Sequence, residues 1–283
     1  MGIVQSKTPL HTGLRVLFLL FFLAFCFLWI YPFLWLVSAS FKSEMAVFQE
    51  TLNLIPSNVQ AENYRIAWVD GNFSRYLFNS IAVTAGTLIL ALARTSMGGY
   101  VFGRYRFPGK TLLLGILIAT FVVPRGYVII PIVEISQQLG TLNSLFGVVL
   151  VLGGTMQAPN LLLFMGYFAK IPKELEESAK MDGAGFSTIF FRINLPLAQP
   201  MIATVSVLVF LYAWNAFFVP LVFTFSRPNL RTLAVGMMAF QGTHETNWAA
   251  MSAASIISLL PVLAFFFIMQ RYIVQGFAGA VKG

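Results

Sequence analysis

Within this 283-residue sequence, the run from Gly103 to Gly109-Lys110-Thr111 invites a chemical reading first. A glycine-rich loop ending in Gly-Lys-Thr can wrap its backbone N–H groups around a phosphate chain while the lysine reaches the outer phosphates. Here five residues separate the two glycines where that loop requires four. The run also joins two apolar stretches instead of following a strand and opening a helix of a nucleotide-binding fold. ATP binding by this chain is therefore not expected, and Arg104, Arg106 and Lys110 read as cations that anchor apolar helices at a membrane surface. Metal chemistry fares no better. One cysteine, Cys26, and two distant histidines, His11 and His244, cannot build a disulfide framework or a His/Cys metal site. No catalytic residue, metal or cofactor is expected.

The remaining candidates are polar residues inside apolar runs, where each is costly and so a candidate for a solute path. Asn215 lies beside Trp214, and an aromatic next to an amide suits a sugar, whose faces stack and whose hydroxyls need partners. An amide that bonds across to a neighbouring helix as glue fits the same pair. Asn79, opening a second apolar run, is a third path candidate. Thr84, Thr87 and the Ser252, Ser255, Ser258 series read as small residues for close helix contact, as does the Gly99 to Gly103 spacing. Arg94 and Arg125 read as span-end arginines that snorkel.

What must position these residues is a membrane protein. The chain is 58% apolar and 10% charged, with 29 Phe and a mean hydropathy of +0.80. Six runs, about 14–37, 76–98, 111–133, 144–168, 201–224 and 251–270, have the length a helix needs to cross a hydrocarbon core of roughly 30 Å. An even number puts both termini on one side. That side carries 12 basic residues against Glu174, Glu176, Glu177 and Asp182, whereas the other carries six basic and six acidic ones. The whole excess of +8 thus collects on one face, as the positive-inside rule requires, and does not point to nucleic acid. The first run is too long for the apolar region of a cleaved signal peptide, so it is read as a helix, with Pro32 ending or kinking it. The expected organisation is a first helix and outer segment over 1–75, a transmembrane core over 76–272 and a cytoplasmic tail over 273–283.

The connection 169–200 has the most legible physics. Pro172 suits a first helical position, and Glu174, Glu176 and Glu177 favour the positive end of the helix that follows. At 100° per residue, Leu175, Ser178, Ala179 and Asp182 share one side, and Lys173, Glu176, Glu177 and Lys180 another. Gly183 interrupts the helix. Phe186, Ile189, Phe190 and Ile193 then form a second short apolar face, and Pro196 and Pro200 punctuate the entry to the fifth run. A lever against the inner surface and a connector that merely returns the chain both fit this pattern.

The same loop resembles the signature cytoplasmic loop of binding-protein-dependent ABC importer permeases. There Glu-Ala-Ala is followed after three residues by Gly and after nine more by Ile, any residue, Leu, Pro. Glu177-Ser178-Ala179, Gly183 and Ile193-Asn194-Leu195-Pro196 keep that spacing, and Asp182-Gly183-Ala184 adds the usual Asp-Gly-Ala. Ser178 for the first Ala exchanges one small residue for another. Asn79-Ser80, the run Arg104-Tyr105-Arg106-Phe107-Pro108-Gly109-Lys110 and the ending Gly276-Phe277-Ala278-Gly279-Ala280-Val281-Lys282-Gly283 are similar to the maltose or glycerol-phosphate branch, in its six-helix subunit.

The resemblance implies an all-α fold of six transmembrane helices, the type I ABC importer permease fold, with both termini cytoplasmic. It implies a heterodimer with a second permease subunit, two copies of an ABC ATPase, and an extracytoplasmic sugar-binding protein, all assembled on the lipid bilayer of a bacterial inner membrane. Glu177, Ser178, Ala179, Asp182, Gly183, Ala184 and Pro196 would meet the ATPase, and Gly279, Ala280, Val281 and Lys282 would reach it through the tail. The loop 225–250 would face the binding protein, although as plain physics it is a solvent-side connection. The solute would be a di- or oligosaccharide, with glycerol phosphate the alternative. An ion-coupled carrier would keep ionisable groups near the midplane, where the sequence reads none, and a membrane scaffold would not need the lever.

Overall fold

In a computed structural model, residues 9–123, 125–155, 157–241 and 246–280 are described; Val281 and Lys282 of the tail lie outside them. Among the described residues the structure is helical apart from turns and one isolated bridge between Gln241 and Thr246. Three helices are long and apolar enough to span a bilayer unaided: α1 (Pro9–Ser40), α2 (Phe73–Arg104) and, last in the chain, the helix Trp248–Ala280. Between them the apolar runs are divided into pairs. The third run comprises α3 (Lys110–Val122) and α4 (Arg125–Gln138), and the fourth α5 (Leu145–Thr155) and α6 (Gln157–Lys170). A third bent pair is Phe186–Leu197 with Gln199–Trp214, and counting each of the three pairs as one crossing gives up to six spans, the number read from the sequence.

Pro32 sits inside α1, so of the two outcomes read for it, ending or kinking the helix, it does not end it. One boundary differs from the sequence reading. The fifth run does not continue as one helix from 201 to 224: after α7 (Glu174–Met181) comes α8 (Gln199–Trp214), which stops at Asn215, and α9 (Phe218–Thr224) follows after a short break. The helical stretch Phe186–Leu197 ahead of α8 meets it at 76°. The last helix, Trp248–Ala280, is α10.

The chain divides into two compact units. One holds residues up to Gly71 with Ala239–Ile257, the other Asn72–Met238 with Ser258 onward. In the first, the segment after α1 is tied by buried polar groups. The Lys42 ammonium, 1% exposed, donates to the carbonyls of Glu50 and Asn53 at 2.7 Å each. The Asn63 amide donates to the carbonyls of Ser40 (3.0 Å) and Lys42 (2.8 Å), which fixes the Asn63-Tyr64 patch. Glu44 accepts from the backbone N–H groups of Trp248 and Ala249 at 3.0 and 3.1 Å, placing a carboxylate at the positive end of α10. Farther along this segment the Ser57 hydroxyl bonds the Glu50 carboxylate and holds its pKa below the ordinary value.

The second unit is built on α2. Its small residues let α6 approach closely: a Cβ on Gly103 would lie 2.8 Å from the Met165 carbonyl oxygen, and one on Gly99 would meet the backbone N of Met165 at 2.9 Å. The Gly99 to Gly103 spacing is therefore a helix-packing seam, as the sequence suggested. Tyr100, Phe164, Phe168 and Phe190 are fully buried around it.

Candidate functional site

The loop helix α7 is eight residues long, too short to hold itself in water, so its position is set by what lies behind it. Behind it is Glu176, only 6% exposed. Its Oε1 accepts from Arg104 Nε at 2.7 Å and from Asn194 Nδ2 at 3.1 Å. The guanidinium is spread further: it donates to the carbonyls of Ile171 (2.6 Å), Phe168 (3.3 Å) and Pro172 (3.3 Å), which close the end of α6. One arginine at the last turn of α2 thus caps α6 and pins α7, while Asn194 ties in the turn that follows. Tyr100 packs over the arrangement against Phe168, Phe186 and Phe190 at ring distances of 5.1 to 5.6 Å.

This inverts part of the helical-wheel reading. Glu176, placed on the polar side with Glu177 and Lys180, is the buried contact, and Leu175, placed with the small residues, is 44% exposed. Arg104 is no interfacial anchor; its side chain is 3% exposed in an ion pair. Pro172 precedes the helix by two residues instead of opening it. Periodicity assigns faces, but it cannot say which face the fold covers, and a buried acid becomes legible only when its arginine is known.

The residues singled out for coupling are mostly uncovered. Glu177, Ser178, Asp182, Gly183 and Pro196 are exposed, with Ala179 and Ala184 half-buried. Gly183 has φ +78°, in the left-handed region, and the Ala184 N–H donates to the Ala179 carbonyl at 2.9 Å, the closure that glycine commonly supplies at a helix end. Met181, 89% exposed, adds an apolar side chain to the same surface. In the tail, Gly279 and Ala280 end α10.

The path candidates are dispersed. The Asn79 amide, 4% exposed, donates to the carbonyls of Asn229 (3.0 Å) and Arg231 (2.9 Å), and Ser80 Oγ accepts from the Leu233 N–H at 2.8 Å, so this pair staples the 228–233 turn. Trp214 is buried, stacked on Phe210 at 5.5 Å, and its indole N–H donates to the Ser258 carbonyl. Asn215 is exposed at the end of α8 and donates to the Leu211 carbonyl at 2.8 Å. Thr84 and Thr87 are buried against neighbouring helices. Arg94, read as a span-end residue, lies ten positions before the end of α2, its guanidinium 3.8 Å from where a Cβ on Gly154 would be.

A cavity of about 490 Å³ opens where the interrupted spans meet, lined by residues that include Thr120, Phe121, Gly154, Thr155, Tyr212 and Phe217. Its polar feature is a 2.7 Å hydrogen bond between the hydroxyls of Tyr212 and Thr155. The sequence reading stopped at Trp214 and Asn215 and passed over Tyr212, although a tyrosine hydroxyl three residues from an amide in an apolar run was the available signal.

Comparison with known proteins bears on both features. The family described as the binding-protein-dependent transport system inner membrane component matches residues 95–279, which contain the loop and the cavity. The probable ABC transporter permease protein YurM of Bacillus subtilis is 34% identical, over 89% of this chain and 84% of that protein. The trehalose transport system permease protein SugB of Mycobacterium tuberculosis is 33% identical, over 89% of this chain and 92% of its own length. Among solved structures, a chain of a bacterial ABC transporter involved in import of the acidic polysaccharide alginate superposes with a TM-score of 0.77 at 26% identity, covering 94% of this chain and 98% of that one. With its interrupted helices, its exposed loop helix and this match over most of its length, the chain belongs to the family of binding-protein-dependent transport system inner membrane components.

Proposed function

We propose that this chain is one of two unlike permease subunits of a bacterial inner-membrane importer that takes up a di- or oligosaccharide. Two copies of an ATPase subunit work from the cytoplasmic side, and an extracytoplasmic binding protein delivers the sugar. ATP is hydrolysed in the partner chains, and this chain contributes half of the path. The observation that carries the coupling role is the exposed set Glu177, Ser178, Asp182, Gly183 and Met181 on a helix fixed from behind by a buried ion pair. A connector that merely returned the chain would have no use for such rigid backing. The saccharide class rests on relatives described as permeases for trehalose, diacetylchitobiose and arabinooligosaccharides. Around the cavity, Tyr212 and Thr155 form the wall, Trp214 and Asn215 stand beside it, and Asn79 belongs to the outer mouth. The tail Gly279 to Lys282 reaches the ATPase dimer.

The test pairs Glu177→Ala with Gly183→Val in the complex purified with its ATPase and reconstituted in liposomes. A desolvated interface charge left without its partner costs about 2–5 kcal/mol, so Glu177→Ala should strip the ATPase from the complex or uncouple hydrolysis from uptake. A Cβ on Gly183 meets no atom within 4 Å, so the cost of valine there is backbone strain at φ +78°, about 1–3 kcal/mol. Wild-type ATPase retention and substrate-stimulated hydrolysis in both variants would reduce the loop to a connector.

A further inference from the structure

The ion pair behind α7 does more than a stability argument explains. Arg104 and Glu176 are 3% and 8% exposed, and Asn194, fully buried, shares the same carboxylate oxygen. Buried ion pairs are weak stabilisers, because desolvation consumes most of the Coulomb gain, and well-packed apolar groups would serve as well or better. Their best-attested use is to fix register, since a misplaced pair leaves a buried charge alone. Here the pair joins four pieces of chain: the end of α2, the end of α6 through three carbonyls, α7, and the 189–194 turn. A helix of eight residues pushed from its exposed side would otherwise slide on an aromatic cluster, which has no directional contact to stop it.

We propose that Arg104 is the positioning residue that converts displacement of α7 into displacement of α2 and α6 as one body, with Glu176 and Asn194 as its receivers. It touches neither nucleotide nor solute; its product is the register between the loop helix and two spans. Arg104 keeps its carbonyls at the end of α6 and Asn194 its bond to the Ile189 carbonyl without Glu176, so loss of that one charge should free α7 in particular from the α2–α6 body.

The inference rests on the coupling role proposed above, and the experiment keeps the two apart. The complex with its partner subunits is placed in liposomes, and uptake of radiolabelled trehalose, diacetylchitobiose or arabinotriose, whichever the wild type imports, is measured together with ATP hydrolysed. Glu176→Gln, which leaves the Arg104 cation alone, and Arg104→Met, which leaves the Glu176 carboxylate alone, should each lower sugar imported per ATP by about tenfold, because a buried charge stripped of its partner shifts an equilibrium by at least that factor. The double variant Arg104→Met/Glu176→Leu removes both charges and leaves no orphan, so it should recover complex yield but not the uptake ratio. A purely structural pair would recover both. A wild-type ratio in the double variant, or reduced yield at an unchanged ratio in the single variants, overturns the proposal. A wild-type complex that imports none of the sugars with ATP overturns the saccharide import reading instead.

Discussion

Asn79→Leu separates two roles that one residue has been given. Leucine keeps the volume but cannot donate, so the carbonyls of Asn229 and Arg231 lose their 3.0 and 2.9 Å partners. Each such bond is worth about 1 kcal/mol net, so the staple contributes about 2 kcal/mol to holding the 228–233 turn closed. At about 1.4 kcal/mol per decade, local opening should become about 30-fold more frequent. The reporter is the Leu233 amide, which donates to Ser80 Oγ and exchanges with solvent only when the turn lifts. Hydrogen–deuterium exchange of the complex in nanodiscs should show faster exchange at Leu233, with the middle of α2 unchanged. If exchange stays at the wild-type rate while uptake falls, the amide acts on the solute and the staple argument is wrong.

Three further perturbations have distinct outcomes. Gly99→Val would drive a branched side chain into the Phe164–Met165 backbone and should cost about 1–3 kcal/mol, seen as a lower melting temperature and reduced yield of assembled complex. Tyr212→Phe leaves Thr155 its bond to the Leu152 carbonyl, so assembly should be normal while uptake changes in rate or sugar preference; unchanged uptake would remove Tyr212 from the path. In a Cys26→Ser background, a cysteine replacing Asn229 should be labelled from outside intact cells and one replacing Lys180 protected, and the reverse pattern would overturn the topology.

The number of spans was legible because length and apolarity alone determine what can cross a bilayer. The end of α7 was legible too, since Gly183 interrupts an otherwise helical pattern and takes φ +78°. What escaped is everything set by contact between segments far apart in sequence. Arg104 and Glu176 are 72 positions apart, and neither residue type reveals its partner. The staple made by Asn79 escaped for a related reason: a polar residue at a span end can face a solute or a loop 150 residues away, and its type does not say which. The break at Asn215 was hidden because the surrounding residues are apolar throughout, and hydropathy does not register a change of helix axis.

Those interruptions have a common location. The cavity's lining includes Leu117, Phe121 and Ile132 from the third run, Val151, Thr155 and Ala158 from the fourth, and Tyr212, Phe217 and Val219 from the fifth. Every contributing run is divided into separate helices, whereas among the described residues none of the lining comes from the continuous spans α1, α2 and α10. A helix end at membrane depth leaves carbonyls and N–H groups that hydrocarbon cannot satisfy, so irregular backbone is tolerated there only inside protein or beside a polar space. Three broken runs around one cavity, with the Tyr212 and Thr155 hydroxyls in its wall, fit a space that is wet for part of the transport cycle. By contrast α2 is unbroken. Joined to α6 along Gly99 and Gly103 and to α7 through Arg104, it would, under the coupling proposal, carry displacement from the loop toward the level of Gly154 in the cavity lining.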